Sequence, residues 1–182
     1  QEILRDMLCK GARMSVEGSS KAGKTWVLLN LGIAAAQGTS WLGFDVVKPC
    51  RVLYMDFELM NWYAAHRIDT ISAKLGSGWL ENFQYWPLRG SCYEFTRLKE
   101  HLLVSGQRDA FDLVVVDPYY KAAAGLDAVQ LCHAKTEWVP ISTQEIPALL
   151  SVHLLCGSKE TCAENKAAQT SAGWLCRGSC QR

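Results

Sequence analysis

Apolar and polar positions along this chain fall into blocks of differing period, and each block predicts an element. Ile3-Leu4-Arg5-Asp6-Met7-Leu8 carries apolar residues at helical spacing and stops at Lys10-Gly11, so a short docking helix is expected there. Met14-Ser15-Val16-Glu17 alternates as a strand does, and Trp26 to Ala36 reads as an apolar helix. Residues 37–44 form a turn-rich connector whose aromatics are expected to fold back on the core. Arg51 to Glu58 is a β-rich run ending in acids, Trp62 to Leu75 is helical and closed by Gly76, and Phe83 to Leu88 alternates again. Phe95 to Val104 reads as a helix, and Asp112 to Pro118 as an apolar, β-branched strand ending in an acid. Beyond it, residues 125–147 lack a clean helical period and are broken by Pro140 and Pro147. Ala148 to Leu155 has the composition of one more strand, and Cys156 to Arg182 is polar, Cys-rich and without periodicity, which predicts an irregular tail.

Strands alternating with helices predict an α/β domain with a mostly parallel sheet. At 182 residues and 49% hydrophobic content the chain supports one core, with residues 1–155 as the domain and 156–182 as the tail. A formal net charge of +1 excludes a polyelectrolyte, so any nucleic-acid contact must come from a local patch or an oligomer. The N-terminus has no basic-then-apolar signal pattern and no apolar run is long enough for a membrane span, so a cytoplasmic protein is expected. In that compartment the eight cysteines are expected as free thiols. The Cys156/Cys162 and Cys176/Cys180 spacings are not those of common zinc sites.

Chemistry concentrates in Gly18-Ser19-Ser20-Lys21-Ala22-Gly23-Lys24-Thr25, which satisfies every fixed position of the G-x-x-x-x-G-K-[ST] phosphate-binding loop. Glycines let backbone N–H groups curl around a phosphate, Lys24 reaches the outer phosphates, and the Thr25 hydroxyl can hold Mg²⁺. The strand before the loop and the helix after it point the positive end of the helix at the ligand. ATP and Mg²⁺ are therefore the expected cofactors. Asp117, ending the run Asp112-Leu113-Val114-Val115-Val116-Asp117, has the form of the acid that holds the same metal in P-loop enzymes; a structural strand-end aspartate is the alternative. The two motifs are expected on adjacent strands.

Taken together, GSSKAGKTWVLLNLGIAAAQGTSWLGF, RVLYMDFEL, WPLRG and DLVVVDPYYK resemble the RepA-like hexameric helicase ATPases, a branch of the RecA/DnaB-type P-loop NTPases of plasmids, phages and mobile elements. The resemblance spans about residues 1–125. It implies a RecA-like three-layer sandwich, ATP hydrolysis coupled to movement on single-stranded DNA, and assembly of copies into a ring. It also gives Glu58 the role of general base toward the attacking water, with Asp56 as substitute, beside Lys24 and Asp117 as catalytic residues. Arg67 stands where relatives often carry an arginine, although a surface ion pair explains it equally well, and Arg89 matches a family feature without a derived role.

After Tyr119-Tyr120-Lys121 the resemblance fades. His153 lies near the position of a family sensor, yet an ordinary core or surface histidine is the better reading. A change of reading frame after Lys121 accounts for the lost motifs: the codons of Ala172 to Leu175, read one nucleotide later, can encode Arg-Ala-Gly-Ser. Impaired turnover follows from that reading. A nucleotide-binding regulatory protein or remnant that does not hydrolyse ATP is the competing one.

Overall fold

The computed structural model describes residues 1–19, 21–76, 80–90, 110–122, 148–154 and 175–179. Their strands build a six-stranded sheet from β3 (Arg13–Gly18), β4 (Val52–Asp56), β5 (Phe83–Pro87), β6 (Leu113–Asp117), β7 (Ala148–Leu154) and β8 (Leu175–Ser179), in the order β5-β4-β6-β7-β3-β8. All neighbours run parallel except β8, which lies antiparallel to β3. The central strands β4 and β6 are buried along their whole length, and that is why their sequences are continuous apolar runs.

Helices α1 (Lys24–Gln37) and α2 (Asn61–Leu75) cover one face of the sheet. Leu28, Leu31 and Ile33 of α1 join Val52, Tyr54 and Val115 of the strands in one core. Gly32 lets α1 approach β5 closely, since a Cβ there would stand 3.0 Å from the Phe83 ring. Leu53, Met55, Phe57, Val114 and Val116 form a second core on the opposite face, so the sheet is buried on both sides as in a three-layer sandwich. No helix among the described residues is long and apolar enough to cross a membrane.

Five expectations change. Ile3 to Leu8 is a hairpin of β1 (Glu2–Leu4) and β2 (Leu8–Cys9), with Asp6 in the left-handed region. Six residues are too few for a self-sustaining helix, and the backbone of this segment pairs instead with the connector through Arg5 N–H to Asp45 O and Val47 N–H to Ile3 O. The connector folds back only in part: Trp41 is buried and donates through Nε1 to Val27 O at 3.3 Å, whereas Leu42 and Phe44 are exposed. The phosphate-loop strand β3 and the acid-bearing strand β6 are not adjacent, because β7 lies between them. Within the stretch expected to be irregular, Leu175–Ser179 forms strand β8 at the sheet edge. The helix expected over Phe95 to Val104 lies outside the described residues, as does most of the tail. Cys50 is a free buried thiol, pushed up to about 11 by burial and then by Asp112, while Cys9 is disulfide-bonded, against the expectation of free thiols.

At the amino end of β6, Asp112 ties the hairpin to β4. Its carboxylate pairs with Lys10 Nζ and accepts Arg51 N–H at 2.9 Å. Burial alone would push this carboxyl up, but the hydrogen bonds from Lys10 and Arg51 hold it below its ordinary value. A lowered pKa means that the folded chain holds this proton less tightly than the unfolded chain. The contribution is therefore present above the unfolded value of about 3.9 and lost as pH falls through the folded one. Asp112→Asn should cost about 1 kcal/mol at pH 7 after solvent screening, or ~2–4 °C in Tm. The difference between variant and parent should shrink as melts are run at progressively lower pH, and vanish only once the pH lies below the lowered folded-state value.

Candidate functional site

Strand β3 delivers the chain into the loop at Gly18, and the loop turns into α1 at Gly23, whose φ of 84° is left-handed. A Cβ on Gly23 would meet nothing within 4 Å, so glycine is needed here for backbone conformation and not for space. Lys21 is also left-handed, at φ 63°. Such alternation curls successive N–H groups toward one concavity. The first turn of α1 has neither a side-chain cap nor an acidic residue, which keeps its positive end available to an anion. Gly18 ends β3, Ser19, Lys21 and Ala22 lie in the loop that follows it, and Ser20 lies outside the described residues.

Lys24 folds back into the loop. Its Nζ donates to Gly18 O at 2.9 Å and to Ser19 O at 2.6 Å, and only 9% of the residue is exposed. Burial lowers its pKa, against the opposing pull of the Asp117 and Glu58 charges. One residue on, the Thr25 side chain hydrogen-bonds the Asp117 carboxylate, across the intervening strand β7. Asp117 also accepts the Tyr54 hydroxyl at 2.7 Å through Oδ2. Burial pushes this carboxyl up to about 6, although the bonds from Tyr54 and Thr25 pull it down. Lys24, Thr25 and Asp117 are thus brought together at the carboxyl ends of β3 and β6, where α/β sheets bind ligands.

Glu58 stands two residues beyond β4, on the same rim. It is partly exposed, and its Oε1 lies 3.4 Å from Nζ of Lys121, on the short helix α3 (Tyr119–Ala122). Lys121 also reaches Phe57 O at 3.4 Å. Asp56 is occupied otherwise: Oδ1 accepts Glu58 N–H and Leu59 N–H at 2.7 and 2.8 Å, and Oδ2 accepts the Tyr85 hydroxyl at 2.9 Å. With both oxygens engaged and only 1% exposure, Asp56 is poorly suited to substitute as a base. Arg67, for which the sequence leaves a family position and a surface ion pair equally open, lies against aromatic faces, 4.8 Å from the Trp26 ring and 4.3 Å from that of Tyr63. Arg89 is exposed. His153 sits near the carboxyl end of β7, paired in register with Glu17.

Three residues of this rim escaped the sequence reading: Tyr54, Tyr85 and Lys121. A signal existed for Tyr54, which precedes Asp56 by two and so shares its face of the strand. Which carboxylate each hydroxyl meets depends on strand register, and that only the fold supplies.

The arrangement suits a magnesium nucleotide. The Thr25 hydroxyl and Asp117 carboxylate are hard oxygen donors of the kind Mg²⁺ prefers alongside phosphate oxygens. Lys24 places its ammonium within the same loop, and the left-handed Gly23 shapes the N–H concavity.

The profile of the AAA domain family matches residues 1–130. No curated protein matches the chain at a significant level. Among solved structures, the fold is similar to that of the flagellar accessory protein FlaH from Methanocaldococcus jannaschii, at a TM-score of 0.50 and 14% identity, over 82% of this chain and 63% of that one. It is equally similar to the RadB recombinase, at a TM-score of 0.50 and 18% identity, over 81% of this chain and 63% of that one. The chain thus spans less than two thirds of the length of either. With the phosphate loop, the parallel sheet and the profile match in agreement, the chain belongs to the AAA domain family and has the RecA-like P-loop ATPase fold.

Proposed function

We propose that this chain binds ATP with Mg²⁺ at residues 18–25 and hydrolyses it to drive movement on single-stranded DNA, as one copy in a ring. The observation that carries the nucleotide part is the convergence of Lys24, Thr25 and Asp117 at one end of the sheet. Lys24 leaves the loop carbonyls to neutralise the outer phosphates, and Thr25 and Asp117 hold the metal, whose bound charge would offset that developing on the phosphates. Glu58, polarising water at its carboxylate, takes the proton as water attacks the γ-phosphorus in line, the new P–O bond forming as the bond to the β–γ bridging oxygen breaks and ADP leaves with that electron pair. Lys121 holds Glu58 on the rim until that step. The DNA and ring parts rest on the sequence resemblance, and the DNA part is in keeping with the description of RadB as a recombinase. We place the activity in the cytoplasm, where ATP is made.

A second reading, a nucleotide-binding regulator without turnover, is favoured by the Glu58–Lys121 pair, which engages the base, and by the likeness to a protein described as a flagellar accessory. ATPase assays with and without single-stranded DNA, together with the mass of the assembly by light scattering, separate the two. Several-fold stimulation by DNA and a multimer in the presence of ATP are expected. Nucleotide binding by a monomer without turnover would support the regulator instead.

A further inference from the structure

Two tyrosines on neighbouring strands touch the two strand-end carboxylates of the rim. Tyr54 on β4 and Tyr85 on β5 are paired in register, and their rings stack with centroids 5.9 Å apart and planes 22° from parallel. Each hydroxyl reaches diagonally one strand over and two residues on, Tyr54 to Asp117 and Tyr85 to Asp56. The repeat follows from geometry: on a parallel sheet, residues two apart share a face, and a tyrosine is long enough to span the diagonal. Tyr54 is fully buried and Tyr85 half-buried, so neither hydroxyl is bonded in this way by accident of the surface.

We infer that Tyr54 and Tyr85 are positioning residues for the two halves of the reaction: Tyr54 aims the Asp117 carboxylate at Thr25, and Tyr85 fixes Asp56 so that it holds the turn carrying Glu58. The second half acts through a chain of contacts, Tyr85 hydroxyl to Asp56 Oδ2, then Asp56 Oδ1 to the N–H groups of Glu58 and Leu59. With Tyr85 in place, the aspartate cannot rotate away from those N–H groups without breaking a part-buried bond. The first half shares the logic of an outer partner that orients a metal-holding carboxylate. Stacking of the rings makes the pair one unit, so that the metal-holding acid and the base-bearing turn keep a common frame.

The Tyr54 half rests on the proposed nucleotide–metal site; the Tyr85 half does not need it. Tyr54→Phe and Tyr85→Phe keep both rings and remove one hydroxyl each. With Mn²⁺ and a non-hydrolysable ATP analogue, electron paramagnetic resonance should show that Tyr54→Phe weakens metal affinity about tenfold, with metal-free analogue affinity unchanged. Hydrogen exchange on the chain alone should speed about tenfold at the Glu58 and Leu59 amides in Tyr85→Phe, and stay at the parent rate in Tyr54→Phe. Parent-like metal affinity in the first variant, or parent-like exchange at both amides in the second, overturns the inference. Should Tyr54→Phe fail to fold, the exchange measurement on Tyr85→Phe decides alone. If the parent binds no Mn²⁺–nucleotide, the proposed function falls while the exchange result still judges the pairing of Tyr85 with the Glu58 turn.

Discussion

Lys24→Ala should lower affinity for a fluorescent ATP analogue by at least ~100-fold, since a charge-assisted bond contributes about 1.5–3 kcal/mol and the ammonium can make more than one to the outer phosphates. Among the described residues, no other lysine is both buried and seated in the loop that follows β3. Fold stability should change little by comparison. The variant loses the bonds to Gly18 O and Ser19 O, but it also loses the cost of a buried ammonium, which is what lowers the Lys24 pKa. A parent-like Tm with binding abolished would therefore separate a site residue from a packing residue. Parent-like binding would move the phosphates elsewhere.

Glu58→Gln should slow hydrolysis about 10²–10⁴-fold while leaving nucleotide affinity near the parent value, because the amide removes a proton acceptor and touches no phosphate-holding group. The substitution keeps side-chain length and an oxygen for the Lys121 contact at 3.4 Å, so the loop should stay in place. Steady-state turnover and equilibrium binding measured on the same preparation check the split. Asp56 should not take over in the variant, because its oxygens are bound to Tyr85, Glu58 and Leu59. Equal turnover by variant and parent would remove Glu58 from the role.

Much of this site could be read before the fold was known, for definite reasons. The loop at residues 18–25 is legible because its requirements are local: a left-handed glycine at Gly23 and a lysine and threonine next to it. β4 and β6 are legible because burial on both faces leaves no polar interruption in their sequences. The hairpin at the start is not legible locally, because apolar positions at Ile3, Leu4, Met7 and Leu8 follow the helical period and the strand conformation is chosen by partners at residues 45–47. Insertion of β7 between β3 and β6 is a property of chain topology that no local pattern encodes. Strand β8 was hidden because an edge strand needs no continuous apolar run. Tyr54 and Tyr85 look like ordinary strand aromatics until register shows which acid each one faces.

The central claim is that Lys24, Thr25 and Asp117 together receive a magnesium nucleotide, and a crystal structure of the chain with Mg²⁺ and a non-hydrolysable ATP analogue tests it most directly. Phosphates are expected against the N–H groups of residues 18–25, with Lys24 Nζ moved from Gly18 O and Ser19 O onto a phosphate oxygen and the metal beside Thr25 and Asp117. Nucleotide bound elsewhere, or bound in this loop with Lys24 still on the two carbonyls and the metal away from Thr25 and Asp117, would contradict it.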